Sequence, residues 1–490
     1  MHWLKTAPLP ANKPLLMSLF RRALRHCNAA APSLFVVRLI GLWLICALSF
    51  DPGRAMAQSS SIEALGIETA TLDNGMEIIV IPDRRSQVVT HMLWYRVGGV
   101  DDPEGKSGLA HFFEHMMFRG TQTIGKGEFV LNVRRRGGQL NASTSSDYTN
   151  YFERIALDQL PDMMRMEADR MQNLIINPEL VALERDVILE ERSFRVDGRP
   201  ASLLREQMVT RLHQDGAYRA PIIGWRREIE QYNAADAEAF YRRYYAPDNA
   251  ILTIVGNTSM AEILPMAKTY YGPLKAANRP RTRFDDVPDL RVAGFDEPII
   301  FADKRTQQQA WKRIYRLPAY HTQADKKPFA ALDVASQILG GGTPSRLHQA
   351  LVVEAGQANA ANSYALTERL HEGEFHLSVS LAPEAAFNDI AQRVDAEIAR
   401  LASAPPSEEE LERAKTQLIA SALFARDSQY YMALIFGSSA VMGIAPEAVL
   451  GWQALVEDVT AADVQRAVAT LLVPQHSLTG HLTRAGEANE

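Results

Sequence analysis

Apolar residues recur along this chain at two spacings, alternate positions and every third or fourth position, and the switches between them mark out its elements. Residues 71–80 predict a strand, a tight Asn74-Gly75 turn and a second strand. Residues 88–97 predict a further strand, with Trp94 and Tyr95 among apolar neighbours, stopped by Gly98-Gly99. In residues 108–121, Leu109, Ala110, Phe112, Phe113, Met116 and Met117 surround His111, Glu114 and His115, and the spacing predicts a helix. Helices are also predicted at 127–136, ended by Gly137-Gly138, at 157–174 and at 178–195. Residues 139–152 read as two short strands around a polar turn, either a plain hairpin or an edge that accepts an extended peptide. Met163, Met164, Met166 and Met171 are expected in the core. Residues 250–257 predict a buried strand, and a helix follows at 260–271.

Beyond a polar, proline-broken stretch at 279–293, read as a linker, the two spacings return. Strands are predicted at 309–317, 360–367 and 374–381, and helices at 327–339, 344–353, 388–402, 407–424 and 430–442. Gly340-Gly341-Gly342 lacks the Lys-Ser/Thr of a phosphate loop and reads as a helix stop.

Length and composition sharpen this. A chain of 490 residues is too long for one ordinary core, and 47% hydrophobic residues suffice for several packed layers. The first 57 residues differ. Arg21, Arg22, Arg25 and Arg38 precede an apolar run at 39–48, and Ala55-Met56-Ala57 carries small residues at its outer positions. This is the pattern of an export signal cleaved after Ala57, which predicts a periplasmic or secreted protein. The other reading is a retained membrane anchor, for which the run is short against the ~20 residues of a span. Residues 1–57 hold seven Lys/Arg and one Asp, so residues 58–490 carry a net charge of −12 where the whole chain carries −6. Such acidity argues against nucleic acid as a partner. Both cysteines, Cys27 and Cys46, lie in the leader, so a metal site beyond it must use His and carboxylates.

One stretch supplies that chemistry. On a helix His111 and His115 stand one turn apart on one face and can hold one zinc ion. Glu114 lies near the same face, where a carboxylate can act as general base on water. Glu184 and Glu191 share a face of the 178–195 helix, and at that spacing alone they read as solvent-facing.

Together these stretches resemble the inverted zinc peptidases related to pitrilysin, insulin-degrading enzyme and the mitochondrial processing peptidase, in particular zinc-binding subunits of the processing-peptidase-like bacterial members. The resemblance rests on residues 110–121, on residues 184–191, on Gly137-Gly138-Gln139-Leu140-Asn141-Ala142 and on residues 240–249. It implies that His111, His115 and Glu191 hold one Zn2+ per chain, that Glu114 is catalytic, and that Glu184 orients a ligand histidine. It also implies that Asn141 and Ala142 lie on the strand that pairs with a peptide substrate. The implied fold is α+β: two homologous mixed α/β-sandwich halves, each an antiparallel-rich sheet packed against helices. Residues 58–278 would form the zinc-peptidase domain, and residues 294–490 a degenerate copy without a metal site, the two enclosing a chamber for unfolded peptides.

One departure stands out. Two-domain relatives carry an Arg and a Tyr seven apart after Ser-Arg-Leu, which here is Ser345-Arg346-Leu347; this chain has Val352 and Asn359 at those places. The pattern therefore predicts a homologous partner subunit that supplies the Arg-Tyr pair. A non-catalytic zinc-binding scaffold or chaperone-like subunit is the alternative. A membrane would be met only through an uncleaved leader.

Overall fold

The computed structural model describes residues 65–278 and 297–486, apart from Asp215, together with Phe295. The predicted leader at 1–57 and the predicted linker at 279–293 lie outside the described residues.

The first half builds one sheet from β1 (Glu68–Thr71), β2 (Glu77–Pro82), β3 (Val88–Tyr95), β4 (Gln139–Thr144), β5 (Thr149–Ala156) and β6 (Ala250–Gly256), in the order β1-β2-β6-β3-β5-β4. Its helices are α1 (Leu109–Met116), α2 (Glu128–Arg135), α3 (Leu160–Gln172), α4 (Pro178–Arg192), α5 (Pro200–Leu212), α6 (Arg226–Ile229), α7 (Ala234–Tyr244) and α8 (Met260–Tyr270). The second half builds a sheet from β7 (Ile299–Ala302), β8 (Ala310–Leu317), β9 (Ala358–Leu366), β10 (Gly373–Leu381) and β11 (Ser477–Thr483), in the order β7-β11-β8-β10-β9. Its helices are α9 (Lys327–Gly340), α10 (Arg346–His348), α11 (Phe387–Ser403), α12 (Glu408–Ala425), α13 (Gln429–Val441), α14 (Pro446–Glu457) and α15 (Ala461–Leu471).

Apart from β1, the two sheets share one topology. In each, the strand that opens the half pairs in parallel with the strand that closes it, and the other pairings are antiparallel. The second sheet repeats the strand order of the first, and the expected class of two sheets packed against helices is the one observed.

Strands β2, β3 and β6 are apolar almost throughout because both faces of their sheet are covered. On one face Ile78, Val80, Leu93 and Tyr95 pack with Phe112, Phe113 and the methionines of α3. On the other, Ile79, Met92, Trp94 and Ile251 pack with Met432, Ala433 and Phe436 of α13, a helix of the second half. The exchange is reciprocal: Leu204, Met208 and Leu212 of α5 lie on Ile314, Leu478 and Leu482 of the second sheet. Glycine permits both close approaches. A Cβ at Gly437 would stand 2.7 Å from Trp94 Cζ2 and closer to its Nε1 and Cε2, and one at Gly480 would stand 3.0 Å from Met208 Cγ.

The helix expected at 178–195 ends sooner. After Arg192 the backbone widens into a π-helical turn, Ser193–Asp197, closed by Gly198 N–H donating to Ser193 O at 2.8 Å. Arg226 holds this turn by donating to Asp197 Oδ2 and Ser193 Oγ, each at 2.6 Å.

Candidate metal centre

Gly108 precedes helix α1, in the left-handed region at φ 91°, and has no side chain to cap it. Asp102 supplies the cap from the preceding loop, accepting from Gly108 N at 2.6 Å and Ala110 N at 2.8 Å. Leu109, Phe112, Phe113 and Met116 bury the other faces of the helix and fix its rotation. His111 and His115 therefore sit side by side, ring centroids 4.9 Å apart.

Helix α4 crosses α1 and brings Glu191 to the pair. Glu191 Oε2 lies 3.2 Å from His115 Nε2 and 3.9 Å from His111 Nε2. One donor atom from each of the three side chains falls within 4.8 Å of the others, and among the described residues this is the only such group of three. Two imidazoles and one carboxylate form a three-ligand set that leaves a fourth position open. Zinc–ligand distances of ~2.0–2.2 Å put tetrahedral neighbours ~3.3–3.5 Å apart, and the two separations to Glu191 bracket that edge. The donors fit zinc by identity and number, and all three lie near enough to share one ion.

Around them stand further charged groups. His115 Nδ1 is 2.8 Å from Glu184 Oε1, and the other oxygen of Glu184 accepts from Arg119 Nε. Glu184 is 1% exposed, so its two partners are what make its burial tolerable. Glu191 Oε1 pairs with Arg195 at 3.0 Å. From the protein's own groups alone, burial and then the charge of His115 bring His111 down to about 4. Burial also acts to lower His115, but its hydrogen bonds to Glu184 and Glu191 outweigh it and push the ring up to about 9. Burial would raise Glu191, yet the hydrogen bond from His115 and the nearby His111 hold it at about 2.

Glu114 lies beside the cluster rather than in it. Its Oε2 accepts from Thr144 Oγ1 at 2.8 Å; burial raises its carboxyl, and the Thr144 bond opposes that. Thr144 ends β4, one of the two edge strands of its sheet. Asn141 on that strand is exposed, and Ala142 is half-buried against the core. All the site residues singled out from the sequence thus lie on α1, α4 or β4. Thr144, Arg119, Asp102 and Arg195 were not foreseen. Thr144 had one available signal, since it sits two residues from Ala142 and so on the same strand face.

The zinc protease PqqE of Helicobacter pylori is 29% identical to this chain over 331 residues, 67% of this chain and 72% of that protein. The mitochondrial-processing peptidase subunit beta of Blastocladiella emersonii is 25% identical over 407 residues, 81% and 84% of the two chains. A crystal structure of a protease from Helicobacter pylori matches with a TM-score of 0.78 at 25% identity, over 85% of this chain and 99% of that one. Residues 78–224 match the family model described as insulinase (peptidase family M16), and residues 231–418 match the one described as the peptidase M16 inactive domain. This chain belongs to the peptidase M16 family. The cluster of His111, His115 and Glu191 lies wholly on its first half. In the second, Val352 packs against the core, and Asn359 Nδ2 donates to Leu381 O at 3.0 Å. Neither side chain offers a cation or a phenol.

Proposed function

We propose that this chain is a zinc-dependent metalloendopeptidase acting on peptides or unfolded segments. The observation that carries the reading is the convergence of His111, His115 and Glu191 from two helices, with Glu114 beside them. The three donors hold the ion, which when bound supplies the Lewis acidity that activates water and polarises a scissile carbonyl. Glu114, held through Oε2 by Thr144, takes the proton and later passes it to the leaving amine. Glu184 fixes the ring of His115, with Arg119 holding the carboxylate in turn. The free edge of β4, with Asn141 and Ala142, aligns an extended substrate by backbone hydrogen bonds.

Residues 58–278 form the peptidase domain in this reading, and residues 294–490 form its metal-free copy. A homologous subunit completes the site with the Arg-Tyr pair and closes the chamber, because Val352 and Asn359 stand where this chain would otherwise carry it. The leader sends the protein to the periplasm or beyond. The same two residues favour a second reading, a zinc-binding scaffold subunit without turnover. Incubation with a mixed library of unfolded peptides, with and without a homologous subunit, decides between them. Chelator-sensitive cleavage supports the peptidase; bound zinc with no cleavage in either mixture supports the scaffold.

A further inference from the structure

Arg192 follows Glu191 at the end of α4 and is 5% exposed. A guanidinium so buried carries a large desolvation cost unless its donors are used. Both terminal nitrogens meet Glu206 of α5, each at 2.9 Å, in the fork geometry that arginine alone provides. Nη1 also donates to Gly224 O at 2.7 Å, and Nε lies 3.4 Å from Asp197 Oδ1.

These partners lead to three places. Gly224 is packed on the start of α1: a Cβ on Gly108 would stand 2.7 Å from Gly224 Cα, and Trp225 N donates to Ser107 Oγ at 3.0 Å. Glu206 sits on α5 between Leu204 and Met208, which pack on the second sheet. Arg192 itself adjoins Glu191. One side chain therefore ties the helix that carries the carboxylate donor to the N-terminus of the helix that carries both imidazoles. It ties both to the helix seated on the second half.

We infer that Arg192, with Glu206, is a positioning pair that sets the distance of Glu191 from the two histidines, so that metal affinity depends on how α5 is seated on the second half. This deepens, and rests on, the reading of the cluster as a zinc site. A purely structural ion pair would hold α4 to α5 but leave the metal's surroundings alone.

The test uses the full chain with Arg192→Lys and Glu206→Gln. Arg192→Lys keeps the charge and loses the fork; Glu206→Gln keeps the shape and loses the charge. Zn2+ affinity is read by chelator competition, Co2+ coordination by its visible absorption, and the fold by melting of the metal-free protein. The expected result is affinity weakened roughly 10- to 100-fold in both variants, with a changed Co2+ spectrum at saturation; metal-free melting falls as well, because each variant breaks a buried ion pair, so the spectrum of the folded, metal-loaded protein is the deciding readout. Wild-type protein that binds while both variants bind as tightly, with the same spectrum, overturns this inference alone. So does a wild-type Co2+ spectrum at saturation in variants whose affinity falls, since the loss then follows from the weakened fold alone. Wild-type protein that takes up no stoichiometric metal overturns the zinc reading with it.

Discussion

Replacing Gly437 by alanine sets two effects of opposite sign against each other. Gly437 lies within α13, where alanine favours the helix by about 1 kcal/mol. Against this, the new methyl carbon would stand 2.7 Å from Trp94 Cζ2 and closer to Nε1 and Cε2, where carbon contacts normally settle at about 3.5–4.0 Å. The neighbour cannot swing aside, since Trp94 is 0% exposed, on β3 at the middle of its sheet and edge-on to Tyr148. Relief needs α13 and the sheet to part by about 1.5 Å, set by the closest of these atoms. Overpacking of this kind costs about 3 kcal/mol at the upper end of the usual range. The net is a destabilisation of about 2 kcal/mol after the gain in helix propensity. Urea unfolding followed by tryptophan fluorescence and circular dichroism measures it. Gly480→Ala is the internal comparison, because Met208 is flexible and can yield, and it should cost clearly less. A Gly437→Ala protein as stable as wild type, or more so, would refute the packing of α13 on the first sheet.

Other outcomes follow from the same contacts. His213, at the end of α5, meets Glu372 and, at 2.8 Å, Glu374, while Arg316, Arg369 and His376 face those carboxylates from the second half. Burial acts to lower the His213 ring, but the two carboxylates raise it above its ordinary value. Its contribution to stability is therefore complete below about pH 6.5 and is lost as pH rises through the raised value. The gap in unfolding free energy between wild type and His213→Gln should shrink from pH 6 to pH 9, and a constant gap excludes the charged clasp. Glu184→Gln should weaken Zn2+ binding roughly 10- to 100-fold in chelator competition, and an unchanged affinity removes Glu184 from the support of His115. The purified chain should hydrolyse peptides weakly and gain activity when mixed with a homologous subunit carrying Arg and Tyr; full activity of the isolated chain at low concentration excludes the shared site.

What the sequence discloses follows what local spacing can encode. His111 and His115 are one helical turn apart, so their convergence is already present in residue numbers. Glu191 comes 76 residues after His115, and only the family pattern joins them, because the crossing of α4 over α1 is a tertiary fact. For Thr144 the sequence offers only its place on the strand face of Ala142; its meeting with Glu114 depends on β4 lying against α1. Helix α5 gives no clear amphipathic stripe because two sides are used, one on the second sheet and one, through Glu206, on Arg192. Strand β11 is interrupted by Gly480, the residue that lets Met208 approach, so its pattern breaks where its packing is tightest. The strands β2, β3 and β6 read clearly because covering both faces demands unbroken apolar runs.

The central claim is that three side chains hold a metal and a fourth does the chemistry. Zinc content and peptide hydrolysis, measured side by side on wild type, Glu114→Gln and Glu191→Gln, test it most directly. Stoichiometric zinc is expected in wild type and in Glu114→Gln, with hydrolysis lost in the latter, and zinc itself lost from Glu191→Gln. Zinc retained in full by Glu191→Gln, or hydrolysis retained by Glu114→Gln, would contradict it.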